Sequence, residues 1–130
     1  MLVDNSRLNE LTGAILGAAI EVHRVLGPGL FEGAYHPCLE YELKARGLRF
    51  VVQEPIAIVY KALRLEAAYK VDLLVEDLVI LEIKSVEVLL PVHRLQVLTY
   101  LRLSGKPAGL LINFNVPRLM EGVKRLLNTR

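Results

Sequence analysis

The stretch YKVDLLVEDLVILEIKS, residues 69–85, limits what this chain can fold into more than any other segment. Two apolar runs, VDLLV and LVILEIKS, meet at Glu76-Asp77 and predict the two strands of an antiparallel hairpin. Three charged residues, Asp72, Glu82 and Lys84, interrupt runs otherwise suited to burial. Side chains alternate across a strand, so Glu82 and Lys84 share one face. The turn decides whether Asp72 joins them. A two-residue turn at Glu76-Asp77 pairs Asp72 with Leu81 and puts Glu82 on the other face. A three-residue turn, 76–78, sets Asp72 opposite Glu82, Leu73 opposite Leu81 and Val75 opposite Val79. This second register gathers Val71, Leu73, Val75, Val79, Leu81 and Ile83 on one wholly apolar face. Register follows the face that buries, so the second pairing is expected, with a bulge as one way to reach it.

That register has an energetic cost. Carboxylates directly opposite each other repel, and Lys84 cannot neutralise both. A divalent cation can, and hard oxygen ligands suit magnesium or manganese. The competing reading is a salt bridge on an exposed sheet edge, where ion pairs contribute little. The flanking Leu73, Leu74, Ile80, Leu81 and Ile83 argue against an exposed edge.

Around the hairpin, Leu8, Leu11, Ile15, Ala18, Ala19, Val22 and Leu26 recur at helical spacing, and the GPG at 27–29 stops that helix. A second helix, LFEGAYHPCLEYELKARG, is expected to close at Gly47, with a kink or a later start at Pro37. LRFVVQEPIAIVY reads as two short strands broken at Glu54-Pro55. After the hairpin, VHRLQVLTYLRLSG predicts a helix capped near Gly105, PAGLLINF a buried strand, and PRLMEGVKRLLN a terminal helix opened by Pro117. The order ααββββαβα predicts one mixed α/β (α+β) domain over residues 1–130, its sheet covered by helices. An aliphatic composition, 53% hydrophobic and only 6% aromatic, supplies the core and excludes disorder.

Several polar groups fall in register with the acidic hairpin. His93, Gln96 and Tyr100 share one face of the helix that follows it, and Glu32 lies one turn from Tyr35 after the glycine-flanked bend. Residues 1–87 carry a charge balance of −4, residues 88–130 one of +6. Such asymmetry marks either a surface for a polyanion or a solvated basic helix. Cys38 is alone, which excludes an internal disulfide and any multi-cysteine metal site. No apolar run reaches the roughly 18 residues of a membrane span. The segment LTGAILGAAIEV lacks a basic leader and a cleavage site, so a cytoplasmic protein without membrane attachment is expected. The mean hydropathy of +0.39 leaves apolar surface for a partner, and a homodimer is the expected assembly.

The chain resembles the GxxExxY protein family. GLFEGAY, 29–35, fits that family's signature, and AIEVHRVLGPGL, VDLLVEDLVILEIKSVE and PVHRLQVLTYLRLSGKPAGLLINFNVP resemble its other blocks. The resemblance spans residues 8 to 127 and places the chain in the PD-(D/E)xK nuclease superfamily. It implies a restriction-endonuclease-like mixed central sheet flanked by helices, and Mg2+- or Mn2+-dependent phosphodiester cleavage. Asp72 matches the acidic residue of the PD half-motif, with Val71 where that motif has proline, and Glu82-Ile83-Lys84 matches (D/E)xK. Glu32 matches the acidic residue of the preceding helix, Gln96 and Tyr100 the Q-x-x-x-Y helix of some branches, and His93 a histidine often seen in the family. Asp72, Glu82 and the Ile83 carbonyl would then bind the metal, with Glu32 ligating directly or through water. Lys84 would orient the attacking water or offset charge, and Gln96, Tyr100 and His93 would hold substrate.

The function expected on these grounds is a metal-dependent nuclease or phosphodiesterase whose partner is nucleic acid, DNA or RNA. Two further readings remain. One is a catalytically silent nuclease-fold module that binds a nucleotide, nucleic acid or protein partner. The other is a structural oligomer subunit whose charges form an internal salt-bridge network, with Lys84 paired to Glu82 or Asp72.

Overall fold

The apolar stripe from Leu8 to Val22 buries as the sequence predicts, because it lies on helix α1, Asn5–Leu26. The computed structural model of the protein describes residues 4–129; residues 1–3 and 130, the ends of the expected domain, lie outside the described residues. Asp4 caps α1 by accepting a hydrogen bond from the Ser6 N–H at 2.9 Å. Gly27, at φ 69°, ends the helix with its N–H on the His23 carbonyl at 2.7 Å. Helix α2 follows, Glu32–Ala45, and Gly47 at φ 73° turns the chain after it. It begins at Glu32 and runs through Pro37 rather than starting nearer to it. Gly33, whose carbonyl would have accepted the missing N–H, is exposed to solvent.

A five-stranded sheet comes next in the order β1-β2-β3-β4-β5. Its strands are β1 Phe50–Tyr60, β2 Leu63–Val75, β3 Val79–Lys84, β4 Ala108–Asn113 and β5 Val123–Leu127. Only β3 and β4 run parallel, joined by helix α3, Pro91–Ser104; the other neighbours are antiparallel. Helices α1 and α2 cover one face, packing Ile15, Ala18 and Leu39 against Leu73, Val75, Leu81, Ile83, Leu110 and Ile112. Helix α3 covers the other, packing Val97, Tyr100 and Leu101 against Leu74, Ile80 and Leu111. Each aliphatic side chain fully buried in these layers contributes about 1.5–3 kcal/mol. Gly109 sets the height of α3 above the sheet, since a Cβ there would stand 2.8 Å from Val97 Cγ1. The result is a mixed α+β fold of the restriction-endonuclease-like kind, as expected.

Three local expectations are corrected. LRFVVQEPIAIVY forms one strand, β1, not two. Pro55 pairs with Lys70, and the missing N–H is tolerated because β1 is an edge strand. A register shift between Ile56 and Ile58 and a positive φ of 56° at Gln53 absorb the irregularity. Val71 packs with Ile56, Leu74 and Ile80 on the α3 side instead of joining Leu73 and Val75. The expected terminal helix is a short 3-10 turn, Leu119–Gly122, followed by β5, so the order is ααβββαββ. All six residues of β4 are buried, and without β5 one side of its backbone would lack hydrogen-bond partners. That tertiary requirement overrides the helical propensity of the segment.

Gly122 makes the turn into β5, and a Cβ there would stand 2.2 Å from the Asn113 carbonyl oxygen. Gly122→Ala is therefore expected to destabilise the fold by about 1–3 kcal/mol in urea unfolding. Gly13→Ala, in open space on α1, should instead stabilise by about 0.5–1 kcal/mol.

Candidate functional site

Glu76 and Asp77, at φ 52° and 57°, carry the β2–β3 turn, and the Leu78 N–H closes it on the Val75 carbonyl at 3.0 Å. Leu73 pairs with Leu81, Leu74 with Ile80 and Val75 with Val79, the three-residue-turn register expected from the buried face. One step further, the backbone ladder gives way to a side chain. The Ile83 N–H donates to Asp72 Oδ2 at 2.7 Å. Asp72 thereby continues the strand pairing with its own carboxylate and stands beside Glu82.

Glu82 is 3% exposed, and its Oε1 has no hydrogen-bond partner among the described residues. Burial pushes its carboxyl up to about 8, helped by the negative charge of Asp72; Lys84 acts in the opposite direction. Lys84 is half-buried on the same face and makes no ion pair with either carboxylate. The direct Lys84 pairing that a salt-bridge network requires is therefore not what this arrangement contains.

Glu32 is the first residue of α2 and is exposed. It lines a cleft of about 160 Å³ with Gly33, His36, Asp72 and Ile83. The fold thus brings Glu32, Asp72 and Ile83 to one cleft, with Glu82 adjoining Asp72. Tyr35 explains how Glu32 is aimed. Its buried hydroxyl donates to the Gly27 carbonyl at 2.6 Å and accepts from the Leu30 N–H at 3.1 Å, while its ring stacks on Phe114 at 4.6 Å. With Gly29 at φ 96°, these bonds fix the turn from which α2 starts.

The residues of α3 divide. Tyr100 is buried, stacked on Tyr69 with ring centroids 4.2 Å apart. Its hydroxyl is held far above its usual range by burial, by Tyr69 and by the negative charges of Glu82 and Asp72. Gln96 is exposed one turn earlier. His93 Nδ1 accepts the Leu90 N–H at 3.0 Å, so this ring nitrogen caps the start of α3. None of these three lines the cleft that holds Glu32 and Asp72. A larger concavity, about 590 Å³, lies between the β1–β2 hairpin and the end of α3 and contains none of the candidate residues.

Two residues of the site escaped the sequence reading. His36 lines the cleft, and its spacing of four from Glu32 was the available signal. Asn113 is buried in β4 beside Lys84. Its side chain accepts from the Val86 N–H at 3.0 Å and donates to the Val86 carbonyl at 2.9 Å, tying down the segment that leaves β3. A lone amide within the apolar run GLLINF was its signal.

A family model described as the PD-(D/E)XK nuclease superfamily matches residues 9–126, from α1 through β5. The chain belongs to the PD-(D/E)XK nuclease superfamily. Comparison with curated proteins and with solved structures found no match. In this PD-(D/E)XK chain Glu82-Ile83-Lys84 is the stretch that reads as (D/E)XK, and it ends the central parallel strand of the sheet. Among the described residues no helix is long and apolar enough to cross a membrane.

In the unfolded chain the Glu82 carboxyl returns to its ordinary 4.5, below its folded value of about 8. The stabilising protonated form is thus fully present below the lower value and is lost as pH rises towards the upper one. Thermal unfolding in EDTA should show wild type losing stability across that window, by roughly 3–5 kcal/mol relative to Glu82→Gln. A separate check falls on the turn. Tyr35→Phe leaves the Gly27 carbonyl and the Leu30 N–H without their partner and should cost about 1–3 kcal/mol in denaturant unfolding.

Proposed function

We propose that this superfamily member is a metal-dependent nuclease that hydrolyses nucleic-acid phosphodiester bonds. The observation that carries the reading is the carboxylate pair of buried Glu82 and half-buried Asp72. Asp72 is drawn against β3 by the Ile83 N–H, Glu82 beside it keeps one oxygen unpartnered, and Lys84 follows on the same face. Two adjacent carboxylates, one of them buried, are poorly matched to each other and well matched to a hard divalent cation such as Mg2+ or Mn2+. Asp72, Glu82 and the Ile83 carbonyl would hold it, with Glu32 reaching it directly or through water. The chemistry such an ion supplies when bound is charge stabilisation at a phosphoryl group and activation of water.

The chain's own groups take the remaining roles. The Lys84 ammonium orients the attacking water or offsets charge that develops on the phosphoryl oxygens. Gln96, exposed on α3, meets the substrate. Tyr100, buried and within electrostatic reach of both carboxylates, keeps their surroundings rigid and dry. His93 positions α3 through the Leu90 N–H. The distinct tasks of Gly29, Glu32 and Tyr35 support placing the chain in the GxxExxY branch of the superfamily.

One observation favours a second reading, a catalytically silent nuclease-fold module that binds a nucleotide, nucleic acid or protein partner. Among the described residues, no three His, Cys, Asp or Glu groups stand close enough together to hold an ion as they are. Under the nuclease reading, the exposed Glu32 side chain closes on the ion when it enters.

Incubating the pure protein with labelled single- and double-stranded DNA and RNA, in Mg2+, Mn2+ or EDTA, separates the two. Cleavage should require the metal and fall by about a hundredfold or more in Glu82→Ala and Lys84→Ala. Cleavage that survives EDTA or these substitutions would sink the nuclease reading, and so would its absence with every substrate.

A further inference from the structure

The cleft contains one group that the proposed reaction does not use. His36 sits one helical turn after Glu32 on α2, and both line the wall facing Asp72 and Ile83. Its Nε2 is withdrawn from solvent and has no hydrogen-bond partner among the described residues. Its Nδ1 lies 3.5 Å from Glu40 Oε2, again one turn further along the helix. A buried ring nitrogen without a partner is costly, and apart from Glu82 Oε1 it is the only buried side-chain polar atom among the described residues in that state. The two orphans belong to residues that neighbour Asp72: His36 lines the cleft with it, and Glu82 lies within its electrostatic reach.

We infer that His36 is a ligand of the cation held by Asp72 and Glu82, adding an imidazole nitrogen to a site otherwise made of oxygens. The inference rests on the metal reading of that pair. Among the described residues no three His, Cys, Asp or Glu groups stand close enough to hold an ion as they are, so the His36 ring turns towards Asp72 together with Glu32 when the ion enters. Three features of the arrangement support it. A Glu and a His four residues apart on a helix present both groups to the same cleft. The carboxylate of Glu40 faces the other ring nitrogen, and an Nδ1–H pointed at a carboxylate leaves the Nε2 lone pair free for coordination, the usual second partner of a metal-bound histidine. The remaining histidines are committed elsewhere: His23 Nε2 contacts the Val116 carbonyl at 2.8 Å, and His93 Nδ1 accepts the Leu90 N–H.

The consequence is a metal preference. Carboxylate and carbonyl oxygens alone suit Mg2+ and Mn2+, whereas an imidazole favours later first-row ions such as Co2+. His36 therefore raises the affinity of the site for Co2+ relative to Mg2+.

Calorimetric titration of the untagged full chain with Co2+ and with Mg2+ tests this, comparing wild type with His36→Leu, His36→Gln, His93→Gln and Glu82→Gln. Circular dichroism and metal-free melting confirm that each variant folds. Both His36 substitutions should weaken Co2+ by about tenfold or more while changing Mg2+ by less than about threefold. Glu82→Gln should weaken both ions, and His93→Gln neither. Unchanged Co2+ affinity in the two His36 variants, with Mg2+ still bound, would overturn the inference and leave the metal reading of Asp72 and Glu82 standing. Co2+ lost in His93→Gln instead, or kept in Glu82→Gln, would likewise overturn it. A wild type that takes up neither ion would remove the metal reading itself, and the role of His36 with it.

Discussion

The hydrogen bond from the Ile83 N–H to Asp72 Oδ2 is the interaction on which the rest of the site depends. It does two things at once. It completes the pairing of β2 with β3 at the point where the backbone ladder ends, so the central strand keeps a satisfied N–H. It also holds a carboxylate next to Glu82, where two anions would otherwise separate. A side chain that fills a strand's hydrogen-bonding role cannot be removed without exposing the strand, so stability and site geometry are joined in one bond. The raised titration of Glu82 follows from burial first and from that enforced proximity second.

Supports from distant parts of the chain converge on this bond. Tyr35 fastens the turn between α1 and α2, and its stacking on Phe114 connects that turn to the residue following β4. Asn113, the last residue of β4, grips Val86 on the segment leaving β3. The Ser85 hydroxyl donates to the Leu30 carbonyl, and the Gly29 N–H donates to Asn115 Oδ1 at 3.1 Å. The α1–α2 turn, the end of β3 and the end of β4 are therefore laced together around the cleft. None of these supports carries charge, which keeps the local field under the control of Asp72, Glu82 and Lys84.

What could be read from the sequence follows from how local each signal is. The β2–β3 register was legible because a one-residue slip would have exposed Leu73, Leu81 and Val79, a penalty visible in the letters themselves. The stripe of α1, the Gly105 cap of α3 and the coupling of Asp72 to Glu82 were legible for the same reason. Strand β5 was not, because what makes PRLMEGVKRLLN a strand is the need of buried β4 for a partner, a fact about another part of the chain. Val71 changed faces because β2 pairs there with Glu54, near the irregular stretch of β1, and no alternation rule anticipates such a distortion. His36 was overlooked since its spacing of four from Glu32 is a weak signal, and its meaning lies in a ring nitrogen left without a partner among the described residues.

Gly109 lies on β4, away from every charged group of the site, yet it governs the distance between α3 and the sheet. Val97 rests where a side chain at this position would have to go. Helix α3 is a rigid rod carrying Tyr100 one turn beyond Val97, so any bulk at Gly109 would act as a wedge beneath it. The rod would lift and the Tyr100–Tyr69 stack would lose its footing. Water would then gain a path to carboxylates whose behaviour depends on dryness. A hydrogen atom in place of a methyl group, on a strand with no part in the chemistry, thus works as the spacer that keeps the site sealed from behind.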